Sequence, residues 1–254
     1  MALQLSDALR NAILNKGSFA GAFQGGVLEM YSGSQPANAN AAPTGTLLCV
    51  ITVGSASRTP EVAAAGSVTL TGGSSGSVNT LTVSGIEVMG QAVPFNTSLA
   101  QTASDVADTV NKNPNIPVIA SASGAVVTLT AKPGFGNVTW TVASATTTLT
   151  KTDANMSGGT TQVNGLRFNG ATGGTMVKDP AQTWSGVGVA DGTAGWFRLK
   201  ASKTDAGALD GAAVYTRMDG TAGTSGANLN LTSTSIATGA TITITSFSPT
   251  EPAA

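Results

Sequence analysis

Without a histidine anywhere in its 254 residues, the chain has no imidazole to act as a general base near neutral pH or as a transition-metal ligand. Nucleophilic chemistry that leans on histidine is excluded with it. Acid–base work then falls to thirteen carboxylates. Glu29, Glu61, Glu87 and Glu251 are scattered, none at a helical or alternate-strand spacing from an aspartate that would aim two carboxyls at one bond. Only carboxylates brought together by folding could hydrolyse a cell-wall polysaccharide, the weakest of the functional readings. Asp105 and Asp108 stand three apart, the spacing of a solvated helix face. Asp205-Ala206-Gly207-Ala208-Leu209-Asp210-Gly211 lacks the acidic density of a calcium loop and reads as a turn. Gly21-Ala22-Phe23-Gln24-Gly25-Gly26 has close glycines, but no strand is expected before it and no helix after it, so it is a poor phosphate cradle. Cys49 lies in the apolar run Leu47-Leu48-Cys49-Val50-Ile51, with no basic neighbour to lower its pKa, and reads as a buried hydrophobe. These readings leave no catalytic residue, no metal site and no cofactor.

Two aromatic residues carry the remaining chemistry. Trp184 and Trp196 fall in strands expected to be adjacent, joined by the hairpin signal Asp191-Gly192-Thr193. The first reading is a cross-strand pair in the core, because Phe197 and Leu199 continue the apolar content of the same strand. The second is a platform for glycans.

The elements that must position these residues follow from periodicity. Leu5, Leu9, Ala12 and Ile13 recur at helical spacing, with Ser6 as candidate N-cap and Gly17 as a stop. So short a helix needs a partner surface. That surface is either its own β domain or, the favoured reading, a neighbouring subunit, which makes Leu5, Leu9 and Ile13 candidate assembly contacts. From Val27 the period becomes two, and Leu47 to Val53 reads as a strand buried on both faces. Short strands are expected over 67–71, 78–84 and 86–89. An amphipathic helix follows, with Leu99, Ala103, Val106 and Val110 on one face, capped by Thr97 or Ser98 and ended by Asn113-Pro114. Strands over 125–131, 137–143 and 146–150 complete this section. Beyond it, strands are expected over 164–168, 182–190, 194–201, 213–218, 229–236 and 240–247, with Asp219-Gly220 and Thr238-Gly239 as further turns. Residues 248–254 read as an arm or a frayed end.

The fold class expected is mainly β: an antiparallel β-sandwich or jelly-roll-like host domain with an inserted small α+β domain. The host comprises 1–60 plus 151–254, and the insert 61–150. Composition narrows the partners. Charged residues are 10% of the chain and the net charge is −1, which offers no electrostatic footprint for nucleic acid. No apolar stretch is long enough to span a membrane, and the N-terminus lacks the basic and apolar regions of a signal peptide.

A family resemblance takes the reading further. Tyr31-Ser32-Gly33-Ser34-Gln35-Pro36-Ala37, followed by Ala41-Ala42-Pro43-Thr44-Gly45-Thr46-Leu47-Leu48, resembles the opening of a family of tailed-bacteriophage virion proteins. The segments Ala190 to Arg198, Gly220 to Gly226, Leu229-Asn230-Leu231 and Gly239 to Ile244 are similar to its later text, in the same order. The resemblance implies a non-enzymatic structural protein of the virion, assembled in the host cytoplasm. Its expected place is a head or neck decoration or a collar, as a symmetric homo-oligomer touching neighbouring head, neck or tail proteins. The alternative is a tail-fibre or spike component that contacts host-surface glycans through Trp184 or Trp196.

Overall fold

Alternating and continuous apolar runs dominate this chain, and sheets result. The computed structural model describes residues 3–14, 18–113, 115–132, 134–172 and 175–250. It is mainly β, with 43% strand and 10% helix. The chain begins with β1 (Gln4–Leu5), α1 (Asp7–Leu14), α2 (Phe19–Ala22), β2 (Val27–Ser32) and β3 (Leu47–Val53). Next come β4 (Ala65–Gly72), β5 (Ser77–Val83), β6 (Ile86–Glu87), β7 (Val93–Pro94) and α3 (Leu99–Asn111). They are followed by β8 (Val118–Ser123), β9 (Val126–Ala131), β10 (Val142–Thr147) and β11 (Thr150–Ser157). The rest is β12 (Phe168–Thr172), β13 (Thr175–Lys178), β14 (Trp184–Val187), β15 (Gly192–Lys200), β16 (Arg217–Gly223), β17 (Leu229–Asn230), β18 (Ser235–Ile236) and β19 (Thr241–Ile244). Two units emerge: a host of Met1–Glu61 with Gln162–Ala254, and an insert of Val62–Thr161.

The host is built on a nine-stranded sheet ordered β1-β16-β15-β2-β3-β14-β19, with β17 beside β16 and β18 beside β15. Every pairing in it is antiparallel except β16 with β17. Alternation along β2 and β15 sends Leu28, Met30, Phe197 and Leu199 to one face, where they join Phe23, Ile51, Trp184 and Phe247 in the core. Burying such side chains stabilises by roughly 1.5–3 kcal/mol each. The opposite face of the same strands carries Glu29, Tyr31, Trp196, Arg198 and Lys200. One close approach explains a glycine in the motif segment 190–198: a Cβ on Gly195 would lie 2.0 Å from the carbonyl oxygen of Gly33, so only glycine lets the chain after β2 rest on β15.

The insert has two four-stranded sheets, β10-β5-β6 with β7 beside β5, and β11-β4-β9-β8. Their core takes in Val106 and Val110 of α3 together with Val68, Leu81 and Leu129. Ser98 is the N-cap, its Oγ accepting from Gln101 N at 3.1 Å. Thr97 precedes it at positive φ.

Several expectations change. Residue 150 is not where the insert ends, because β11 pairs with β4 from Thr150↔Gly72 to Ser157↔Ala65 and belongs to it. Strand β10 starts only at Val142, so the alternation of Val138 and Trp140 with Val142 is not one strand. β14 and β15 are not neighbours, since β2 and β3 lie between them. Asp191-Gly192-Thr193 is therefore no hairpin, and the Asp191 carboxylate instead accepts from Thr238 N at 2.6 Å. Asp219-Gly220 lies inside β16. Gly17, Pro114 and residues 251–254 fall outside the described residues.

Candidate functional site

The richest polar constellation lies on the host sheet's second face. Pairing brings Glu29, Arg198, Asp219 and Gln4 into one row across β2, β15, β16 and β1. Arg198 grips Asp219 with a two-pronged bond, Nε to Oδ1 at 2.7 Å and Nη2 to Oδ2 at 2.7 Å, with both side chains fully buried. Its third nitrogen, Nη1, donates to the carbonyl of Ala41 at 2.9 Å. Lys200 Nζ reaches Glu29 Oε1 at 2.7 Å, and Tyr31 Oη donates to Glu29 Oε2 at 2.8 Å. Arg217 makes a second fork onto Asp205, at 2.7 and 2.6 Å, and donates to the carbonyl of Ala208 at 2.8 Å. Planar, bidentate pairs of this kind fix geometry as well as charge.

Two loops are what these bonds hold. Residues 33–46 are tied down through the carbonyl of Ala41, which accepts from Arg198. Residues 201–216 are tied down through Asp205, Ala208 and Asp210, whose carboxylate accepts from Val214 N at 3.0 Å and Tyr215 N at 2.7 Å. Arg58 adds a clamp with Nε donating to the carbonyl of Gly25 at 3.0 Å and Nη2 to those of Ala201 and Ser202. Burial works to raise the Asp205 carboxyl, but the Arg217 fork and the amide of Gly207 outweigh it and hold it below the ordinary range. Asp210 is held low in the same way, by the amides of Val214 and Tyr215 against burial. Burial, reinforced by Glu29, pushes the Tyr31 hydroxyl upward and keeps it protonated. The arrangement clamps two loops to a sheet; its carboxylates are committed to that task.

The aromatic candidates are buried. Trp184 sits in the host core against Phe168 and Phe247, at ring-centroid distances of 5.1 and 5.9 Å. Trp196 lies on the opposite face, stacked on Tyr31 at 4.5 Å with the Arg198 guanidinium 5.5 Å from its ring. Both are 0% exposed, so neither offers a face to a glycan, and they do not form one cross-strand pair. Trp196 Nε1 is buried without a hydrogen-bond partner among the described residues.

The N-terminal stripe is also spent internally. β1 adds to β16 through Gln4↔Asp219 and Leu5↔Met218. Ser6 Oγ accepts from Leu9 N at 3.2 Å and from Arg217 N at 2.9 Å, and donates to the carbonyl of Tyr215 at 2.9 Å. Leu9 is fully buried in the host core, with Leu5 and Ile13 packed partly buried against it. The expectation that Leu5, Leu9 and Ile13 dock on a neighbouring subunit is therefore corrected. A strand that joins its own sheet carries the helix after it onto its own core. Cys49 is fully buried and its thiol is pushed up to about 11 by burial, so it stays protonated.

Among the described residues no three His, Cys, Asp or Glu side chains cluster closely enough to hold a metal ion, and no helix is long and apolar enough to cross a membrane. Sequence reasoning missed the buried charges. Glu29, Arg198 and Asp219 are far apart along the chain, and only their alternation with core residues on β2 and β15 hinted at a second lined face. In comparisons with known proteins, no family model, curated protein or solved structure matches the chain.

Proposed function

We propose that the chain is a non-enzymatic structural component of a tailed-phage virion, a head or neck decoration or collar subunit working as a symmetric oligomer. The observation that carries this reading is where the resembling segments fall. Tyr31–Ala37 and Ala41–Leu48 lie far in sequence from Ala190–Arg198, yet together they make the end of β2, most of the clamped loop, the start of β3 and most of β15. These three segments form one folded substructure, bound by Arg198 to Ala41 and by the Gly33–Gly195 approach, while the segment Gly239 to Ile244 lies on β19 at the edge of the same sheet. Rigid clamping of loops suits a subunit whose surface must present one shape to its neighbours.

Fractionation of lysates that contain the assembled phage tests the proposal. Peptide mass spectrometry of purified particles should find the chain at a fixed copy number, and cryo-electron microscopy should place it on the head or neck. A chain that stays in the particle-free fraction overturns the reading. Density at the distal tail tip favours the fibre or spike alternative, which would then need a glycan surface other than Trp184 and Trp196.

A further inference from the structure

The host sheet ends in two different ways. At one end β16 is covered by β1 over Met218 and Asp219 and by β17 over Ala222 and Gly223. At the other, β19 pairs with β14 alone, and no strand covers its outer edge among the described residues. Its register is regular, from Trp184↔Ile244 to Val187↔Thr241. The bond from Gly188 N to the carbonyl of Ala240, at 2.8 Å, shows which groups are left over. Alternation turns the N–H and C=O of Ile242 and Ile244 towards β14 and those of Thr241 and Thr243 outward.

This chain guards other edges with side chains. In the insert, Asn111 Nδ2 donates to the carbonyl of Ala120 at 2.8 Å and its Oδ1 accepts from Ala120 N at 2.9 Å, occupying the edge of β8. Asp153 and Asn155 accept from Ser144 N at 2.8 Å and Val142 N at 3.0 Å, along β10. β19 has no such device: it carries no charge, no proline and no bulge, which are the usual means of blocking an edge. On the sheet face beside it, Val187 and Val189 are 44% and 57% exposed.

We infer that β19 is an assembly edge whose partner is β19 of a second copy, paired antiparallel about a two-fold axis so that one sheet runs through both subunits. Charge selects that partner. About a two-fold axis residue i faces residue j and j faces i, so like charges along so short an edge would be brought close together and repel. Between Asp219 and Glu251 the sequence has no Asp, Glu, Lys or Arg. The edge therefore carries nothing that opposes self-pairing and nothing to recruit a charged segment of another protein. Threonine opposite threonine is a favourable cross-strand pair. The inference rests on the symmetric oligomer proposed above and names the contact that builds it.

Sedimentation equilibrium of the purified full chain tests it, using Thr243→Lys and Thr243→Glu, both at an exposed position. The native chain should dimerise, and each variant alone should dimerise about tenfold or more weakly. An equimolar mixture of the two should recover the loss by pairing opposite charges. A native chain that stays monomeric, a dimer that both variants leave intact, or a mixture no tighter than its parts overturns the inference. Amide exchange of the native chain needs no variant: Thr241 and Thr243 should be protected only at dimer-forming concentration, and equal exchange at both concentrations also overturns it. Failure here leaves the virion reading standing, because particle fractionation decides that independently.

Discussion

The host and the insert share one polar device and differ in another. Both bond side-chain amides to strand backbones, the host through Gln24 on Phe168 and Asn228 on Thr221, but the buried guanidinium forks belong to the host. All five arginines, Arg10, Arg58, Arg167, Arg198 and Arg217, belong to the host, and the insert's only cations are Lys112, Lys132 and Lys151. In the host, guanidinium forks are buried in ion pairs and carbonyl bonds that hold loops against a sheet face. In the insert, short amides and carboxylates bond directly to strand backbones: Asn111 to β8, Asp153 and Asn155 to β10, and Glu87 Oε1 to the amides of Leu81 and Met89 at 3.2 and 2.9 Å. Reach and geometry separate the two uses. An arginine fork spans a layer and satisfies a carboxylate and a carbonyl together, whereas an Asn or Asp near a strand offers a single peptide-like group.

The comparison breaks most visibly at the buried pair. Asp219→Ala leaves the Arg198 guanidinium buried without its anion and should cost the host about 3–5 kcal/mol. Exchange protection of β4 and β9 in the insert should not change, and a loss shared by both units would show that the contrast is false.

Removing the helix anchor separates the units next. Leu9→Ala empties a fully buried core site and should destabilise the host by about 2–5 kcal/mol. Unfolding followed by tryptophan fluorescence in a Trp140→Phe background, which leaves only Trp184 and Trp196 of the host, measures this at monomer concentrations. An unchanged monomer would restore the neighbour-docking reading of α1.

Acid sharpens the picture for one loop. A carboxyl held low in the folded state contributes stability that is complete above its unfolded value, here the ordinary 3.8, and is lost as pH falls through the folded value. Asp205 and Asp210 both behave so. Loop 201–216 should therefore lose exchange protection as pH drops below that point, with about 1.4 kcal/mol at stake per pKa unit of depression. Asp205→Asn should weaken the loop already at pH 7 and flatten its acid response.

In the insert the effect is smaller. Asn111→Ala exposes the Ala120 backbone groups to water and should cost about 1–2 kcal/mol, with a rise in concentration-dependent association through β8, read by light scattering. The smallest effect belongs to Trp196→Phe. The indole N–H it removes has no partner among the described residues, and relief of that buried donor offsets part of the cavity left in a fully buried site, so the net loss should be about 1 kcal/mol.

Local pattern carried a good part of the fold. The change from helical to alternating period at Val27, the apolar run of β3 and the face of α3 with Ser98 at its start each depend on residues a few positions apart. The polar strand β11 escaped, because in Thr150–Ser157 only Met156 is buried and Thr, Lys, Asp and Asn read as a loop. Alternation also misplaced Trp184 and Trp196, since a turn signal at Asp191-Gly192 says that the chain can reverse, not which strand it joins.

By itself, the sequence determined the class of this protein: mainly β, Gly-rich and histidine-free, with an α+β section between segments of plain strand text. These properties follow from residue type and short-range period, which act wherever the chain goes. Tertiary structure alone decided that Glu29, Arg198 and Asp219 stand in one row, that α1 lies on its own core, and that β19 is left at the edge. Each depends on which distant strands pair. That choice rests on burying whole faces at once, and no local run of residues encodes it.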